Sequence, residues 1–384
     1  MMSNSEDKNP QQNIEVKPQN TFNILSSVNL NEITKDPDNS LLKLKINPNK
    51  QGEFVIVNSN FTMNYLSFNP QNISLSCNGV YNEHKSRIND ISFFHSNQSP
   101  LSESFVSGDN EGNILLWDSR AKSSSYKLST NGKGGILSLD TNEHFLAAGY
   151  GTEIAAWDLK TMKRIGKNSE MHSEFVTCVK FFENYLISGG EDNIINIFDI
   201  NNEKELNKKM NKNILDSDYA VSMMNMGQSI YSVSTIKPNY ISAITTVNTF
   251  FIINLKSCVQ TYEFDSKNII TDYILDSYYD NKKDLIQLAC GNYNGIISTI
   301  NFNVEKPEPY VEALVDTGIE QTFNSIGKFN EGVFITCSDK GLLYLIQEIP
   351  GVPKNFNLNT IKQSNIKSSN IDEDVEMNNY LPPL

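Results

Sequence analysis

The chain is short of the residues that most often carry chemistry. Among 384 residues it has five cysteines, four histidines and two tryptophans. The cysteines, Cys77, Cys178, Cys258, Cys290 and Cys337, are odd in number, widely spaced and form no Cys-x-x-Cys pair. That spacing signals neither a disulfide framework nor a zinc site. Cys178 and Cys290 fall in strand-like runs, where a small buried apolar residue is the plain reading. Positive charge is scarce too: 32 Lys and Arg face 45 Asp and Glu, a formal net charge of −13. Binding nucleic acid through its phosphates needs clustered Lys and Arg, so composition speaks against a nucleic-acid partner. An acidic surface is equally ill suited to an anionic membrane. No apolar run approaches roughly 18 residues, and Met1-Met2-Ser3-Asn4-Ser5 has no signal-peptide core. These absences predict a reducing intracellular setting, cytoplasmic or nuclear.

What the chain does have is turn-punctuated strands. Residues 172–199 read as three short strands, 175–182, 185–188 and 194–200. They are joined by Glu183-Asn184 and by Gly189-Gly190-Glu191-Asp192-Asn193, which is turn chemistry. Ile194-Ile195-Asn196-Ile197-Phe198 is apolar on both sides of the pleat, so the sheet it joins needs covering twice over. Ser107-Gly108-Asp109-Asn110-Glu111-Gly112-Asn113-Ile114-Leu115-Leu116-Trp117-Asp118 is a second copy. Ala148-Gly149-Tyr150-Gly151-Thr152-Glu153-Ile154-Ala155-Ala156-Trp157-Asp158 is a third, so both tryptophans precede Asp at one repeat position.

These copies resemble the WD repeat: a His before strand a, Ser-Gly ending strand b, an acidic turn, then strand c ending in aromatic-Asp. Fainter copies end their third strands near Phe68, Ile253, Ile300 and Ile346. With Trp117, Trp157 and Phe198 the steps are 49, 40, 41, 55, 47 and 46 residues. Periods of about 40–45 residues mark four-stranded propeller blades. Seven equivalents therefore predict an all-β, seven-bladed WD-repeat β-propeller over residues 21–350, with a disordered tail at 1–20 and a disordered acidic tail at 351–384. The last copy lacks an outer strand before Pro350 and Pro353, so a strand at about 22–30 is expected to close the ring. The long fourth step is ascribed to a polar excursion at 203–213 carrying Lys204, Lys208, Lys209 and Lys212, read as a solvated loop. The sixth copy, around Asp272-Tyr273-Ile274-Leu275-Asp276, is similar to the WD repeat-containing protein 89 family, which implies no enzymatic activity.

His172, Ser188 and Asp192 have the residue types of a nucleophilic triad. The resemblance implies instead a structural network, in which the turn Asp orients the His, the His meets the Ser, and the Ser meets the Trp N–H. A triad also needs an oxyanion hole, which nothing here signals. Phe198 has no donor, so the fourth copy is expected to lack the last link. In the second copy His84, Ser107 and Trp117 match while Glu111 takes the turn position, which predicts a looser tie. Thr130-Asn131-Gly132-Lys133-Gly134-Gly135 is not a phosphate loop, because Ser or Thr does not follow the Lys and a strand comes next. No metal cluster or cofactor fingerprint is found, and neither cofactor nor metal is expected.

The expectation is a non-enzymatic interaction scaffold or adaptor, with a propeller hydrolase as the rival class. Trp117-Asp118-Ser119-Arg120 also resembles the strand end of WD-repeat substrate receptors of cullin-4 ubiquitin ligases. That implies a ligase adaptor as partner, gripped by Asp118 and Arg120, with Lys160 of Trp157-Asp158-Leu159-Lys160 as a weaker second copy. That pattern wants Asp where Glu111 stands.

Overall fold

Apolar strands joined by two- to five-residue turns must pair with their chain neighbours, and a sheet apolar on both faces must be sandwiched between others. In the structure, a computed structural model, 28 strands form seven four-stranded antiparallel sheets. It describes residues 18, 20–31, 39–95, 103–121, 123–200, 213–265, 271–304, 308–330 and 332–351. Six sheets consist of four consecutive strands, a to d, as in the fourth blade: Val176–Phe182, Tyr185–Gly190, Ile194–Asp199 and Ala220–Asn225. The seventh joins Phe323–Asn330, Val333–Ser338 and Leu342–Pro350 to the amino-terminal strand Asn20–Asn29. Each strand a touches strand a of the next blade, and the first touches the last. The fold is a seven-bladed β-propeller with the seven strands a around a central channel.

Burial follows from that arrangement. Strands b and c lie between two neighbouring sheets, so Phe54, Val55, Ile56 and Val57 are all fully buried. Most outer strands alternate or face solvent, as Ser124–Ser129 does, whereas Tyr310–Asp316 of the sixth blade is buried. The core therefore sits between blades: Val55, Met63 and Tyr65 of the first pack on Ile91, Phe105 and Trp117 of the second. The glycine near the end of strand b has a packing cause. A Cβ on Gly108, Gly149 or Gly189 would lie 2.4, 2.7 or 2.7 Å from Ile136, Val176 or Ile230, which open the next blade.

Every strand a breaks register with strand b near its start, after the first residue in six blades, from Leu41/Lys43 to Phe323/Ser325, and after the second in the sixth, at Ile274/Asp276. Such a bulge releases backbone groups to turn sideways. The Leu139 N–H donates to Asp90 at 2.8 Å, that of Val179 to Ser138 at 3.0 Å, and that of Phe181 to Asp140 at 2.8 Å. These bonds cross from blade to blade around the channel.

One expectation needs adjusting. The strand-c equivalent in the first blade is Leu66, not Phe68: the bulge against strand d falls at Tyr65/Leu66, matching Leu116/Trp117. Phe68 lies two residues farther on and stacks on Phe329 with centroids 5.8 Å apart. The first blade's outer strand is Ser74–Tyr81. Residues 201–212, with Lys204, Lys208, Lys209 and Lys212, lie outside the described residues, as do the terminal segments apart from 18, 20 and 351.

Asn20–Asn29 pairs with Leu342–Pro350 through nine residue pairs, and Phe22 packs edge-on against Phe334 with centroids 5.6 Å apart. Burying one such side chain is worth about 1.5–3 kcal/mol. Removing residues 1–31 should therefore lower the unfolding midpoint of the whole body by several degrees, whereas removing 355–384 should leave it unchanged in calorimetry.

The seam also holds two carboxylates. Nδ2 of Asn20 donates to Glu312 at 2.6 Å and to Glu348 at 2.8 Å. Burial, then the neighbouring Glu348, pushes the Glu312 carboxyl above the usual range. A raised carboxyl favours the protonated folded state, so its contribution is lost as pH rises through the folded value. Glu312→Gln should therefore raise the melting temperature at neutral pH, with the gain vanishing below about pH 4.

Candidate functional site

In each blade the a–b and c–d links share one face of the disc, and the b–c turns and d–a links share the other. The histidines belong to the second face. Nδ1 of His172 lies 3.0 Å from an Asp192 oxygen and Nε2 lies 2.9 Å from Ser188 Oγ. Asp192 also accepts the Ser173 and Ile194 N–H groups at 2.9 and 3.1 Å, which closes the turn on the ring. Phe198 is buried and donates nothing, but Asn196, two residues earlier, brings Nδ2 to 3.0 Å from His172 Nε2. The ring thus gains a second partner on Nε2, while Ser188 receives no donor from Phe198 and the last link is absent, as expected. Burial holds the His172 imidazole below its ordinary range despite Asp192, so the ring is neutral, with its proton on Nδ1 facing the carboxylate.

The second blade corrects the turn assignment. The acid on His84 is Asp109, with Oδ2 2.8 Å from Nδ1, while Ser107 Oγ lies 2.6 Å from Nε2 and accepts Trp117 Nε1–H at 2.8 Å. Asp109 also takes the Glu111 and Asn113 N–H groups at 3.0 and 2.8 Å. It stands two residues before Glu111, where the fourth blade has Gly190. A Cβ on Gly190 would fall 2.8 Å from both His172 Nδ1 and Asp192 Oδ1. Either position can deliver a carboxylate to the ring, but not both at once. The tie in the second blade is therefore complete rather than loose.

Neither serine is placed for nucleophilic attack. Ser107 and Ser188 are fully buried, at 0% exposure, and a substrate cannot reach them. Burial likewise pushes the thiols of Cys178, Cys290 and Cys337 up to about 12, which keeps them protonated. The glycine-rich link at 130–135 ties itself back through Thr130 Oγ1, which donates to Gly134 O at 3.0 Å, and runs straight into a strand.

Asp118, Arg120 and Lys160 lie on the opposite face, in the c–d links of the second and third blades. Arg120 is half-exposed, but its fork is already engaged: Nε donates to Asp118 at 2.9 Å and a terminal nitrogen at 2.6 Å. The same hydrogen bonds hold the Asp118 carboxyl below the usual range. Asp158 accepts the N–H and hydroxyl of Thr161 at 2.6 and 2.7 Å, and Lys160 points to solvent.

The face carrying the b–c turns shows what sequence reading missed. Phe175, Tyr231, Val247, Tyr293 and Ile319 are exposed there, between 37% and 61%. Hydrogen bonds tie neighbouring turns to one another on this face. Phe175 O accepts the Glu191 N–H at 2.9 Å; Ser229 bonds Glu191 O at 2.9 Å and, through its own carbonyl, the Thr246 N–H at 3.0 Å. Asn248 bonds Asp272 O at 3.1 Å, and an Asp272 carboxylate oxygen accepts the Tyr293 N–H at 3.0 Å. Thr317, beside Ile319, bonds Gly295. Acidic groups flank this crescent. Burial, then the neighbouring Glu174, pushes the Glu191 carboxyl above its usual range.

Three comparisons with known proteins agree with this architecture. The family model described as WD domain, G-beta repeat matches residues 75–118 and 166–199. WD repeat-containing protein 89 homolog of Dictyostelium discoideum is 26% identical over 230 residues, covering 56% of this chain and 59% of that protein. The chain thus spans less than two thirds of that relative. The crystal structure of the WD40 β-propeller domain of Doa1 superposes with a TM-score of 0.63 at 10% identity. That likeness covers 85% of this chain and 97% of the Doa1 domain, and it shows the shared fold.

If Asp109 carries the tie, Asp109→Ala leaves the His84 ring and two backbone N–H groups without acceptors. It should cost about 2 kcal/mol or more in denaturant unfolding. Glu111→Ala should stay within about 0.5 kcal/mol. The reverse ranking would return the role to Glu111.

Proposed function

On a seven-bladed propeller that carries WD repeats, we propose a non-enzymatic protein-interaction scaffold that binds its partner on the face of the b–c turns. The observation that carries this reading is the set of exposed apolar side chains on that face, Phe175, Tyr231, Val247, Tyr293 and Ile319. Contiguous exposed apolar surface rimmed by polar groups is the mark of a docking site, and aromatic residues anchor such sites. The flanking acids specify the partner's chemistry. Glu174 and Glu191 repel each other, and a Lys or Arg brought between them would relieve that repulsion. The partner is therefore a protein that presents apolar side chains flanked by basic ones. The five thiols, all unpaired among themselves, fit a reducing compartment, and we place the protein in the cytoplasm or nucleus.

A cullin-4 ligase adaptor on the Asp118–Arg120 rim is the second reading. It rests on the Trp-Asp-x-Arg strand end alone, and an adaptor would first have to break the Asp118–Arg120 pair. A hydrolase using channel residues is the rival class. The channel carboxylates Asp90 and Asp140 are held by Lys43 and Lys180 at 2.7 and 3.0 Å, an arrangement that suits strand anchoring better than proton transfer.

Affinity purification of the wild type, Phe175→Ala/Tyr293→Ala and Arg120→Ala separates these readings. The double variant should lose the partner, since anchors cost about 2 kcal/mol or more each, while Arg120→Ala should retain it. All three should unfold alike. Loss confined to Arg120→Ala, with a ligase adaptor among the missing proteins, would move the site to the other face.

A further inference from the structure

Where the sixth blade meets the seventh, the face of the b–c turns carries a pair of aromatic rings. Tyr273 opens strand a of the sixth blade and Tyr293 sits in its b–c turn, with ring centroids 5.5 Å apart and planes tilted by 53°. Tyr273 is fixed in place. A Cβ on Gly291 would fall 2.5 Å from its ring, while its hydroxyl accepts the Phe323 N–H at 2.9 Å and donates to Asn292 O at 3.4 Å. Tyr293 is held through its backbone instead, with its N–H donating to Asp272 Oδ2 at 3.0 Å. Its side chain is 61% exposed, more than any other aromatic among the described residues.

Two carboxylates face this pair. Asp272 precedes Tyr273 in the chain, and Asp339 comes from the b–c turn of the seventh blade, where its Oδ1 accepts the Thr322 N–H at 3.1 Å. Backbone bonds thus place both aspartates without neutralising them. Among the described residues neither forms an ion pair, and Lys340, exposed beside Asp339 in the chain, pairs with neither. Burial first, then Tyr293, Asp272 and Asp339, outweigh the Phe323 N–H and push the Tyr273 phenol above its ordinary range. Burial, then Asp272, does the same to Tyr293. Both rings therefore stand in a negative field, which an incoming cation would relieve.

We propose that Tyr273, Tyr293, Asp272 and Asp339 form the seat of an arginine side chain of the protein partner, an anchor that rests on the scaffold reading above. A guanidinium is planar and weakly hydrated, so it stacks on an exposed ring while its N–H groups reach a carboxylate. Both halves are offered here. One is the open face of Tyr293, and the other is Asp272, whose second oxygen accepts no hydrogen bond among the described residues. Exposed Val247 and Ile319 flank the seat, tied in through Asn248 to Asp272 O and through Thr317 to Gly295 O. Apolar neighbours of the arginine would rest on them.

The test is fluorescence anisotropy of the full-length protein with a labelled Leu-Arg-Leu-Leu-Arg-Leu peptide, and with its citrulline and lysine counterparts, at fixed ionic strength. The wild type should bind the arginine peptide at least about fivefold more tightly than the citrulline peptide. Tyr293→Phe should keep that preference, whereas Tyr293→Leu and Asp272→Asn should each abolish it. Glu143→Gln, an exposed acid on the opposite face, should leave it unchanged. The preference is read within each variant, and melting curves check that each one folds. No saturable binding of the arginine peptide, or equal binding of the citrulline peptide, overturns the proposal. So does a preference that survives both Tyr293→Leu and Asp272→Asn, which would mark diffuse attraction to an acidic surface. A lysine peptide that binds as tightly as the arginine peptide overturns the guanidinium. The scaffold reading is decided apart from these outcomes, by whether Phe175→Ala/Tyr293→Ala loses the purified partner.

Discussion

Seven twisted sheets form a disc only if the last meets the first, and here that meeting is the pairing of Asn20–Asn29 with Leu342–Pro350. The two strands stand more than 300 residues apart in the chain, so the closing contact is the least local in the molecule. Other features depend on it. The first blade packs on the seventh through Leu44, Phe54, Leu343 and Leu345, and Asn324 and Ser325 bond Leu41 O and Leu44 O across the same boundary. An open ring would expose that core and pull the channel lysines of the first and seventh blades apart. The bulge at the start of every strand a serves the same end, because it turns backbone N–H groups from the blade's own ladder towards its neighbour.

The parts of this architecture that the sequence displayed are those set by local rules. Turn clusters such as Gly189-Gly190-Glu191-Asp192-Asn193 and two-sided apolar runs such as Ile194–Asp199 mark strands b and c wherever they occur. Substitution of one side chain by a neighbour's was harder to read. Asp109 serves His84 because a carboxylate need only reach Nδ1, and a start two residues earlier reaches it as well. Asn196 adds a contact of its own, on Nε2 of His172, that the repeat pattern does not announce. Register was opaque for a related reason: Phe68 looks like the aromatic end of strand c, but the bulge that fixes the equivalent position lies at Leu66 and leaves no local sign.

The candidate binding face was invisible for a different reason. Phe175, Tyr231, Val247, Tyr293 and Ile319 are scattered over about 150 residues and stand singly in turns or at strand starts, where an isolated apolar residue means little. Only the propeller's closure brings the turns of four blades into one arc. The channel lysines could have been found. Lys43 and Lys45, Lys180 and Lys328 each interrupt an otherwise apolar strand a at the alternate position, and a charge repeated there in several blades points to a polar axis.

That axis explains a charge distribution that composition conceals. The protein is acidic as a whole, with a net charge of −13, yet its channel carries lysines. Burial alone would lower Lys43 and Lys180, but Asp90 and Asp140 outweigh it and keep both raised. These pairs lie between blades, and the same two carboxylates accept backbone N–H groups of the next strand a. Lysine therefore neutralises acids that the blade-to-blade bonds require. The lysines of the channel thus follow from how the blades are tied together, and their charge is matched by the acids that make those ties.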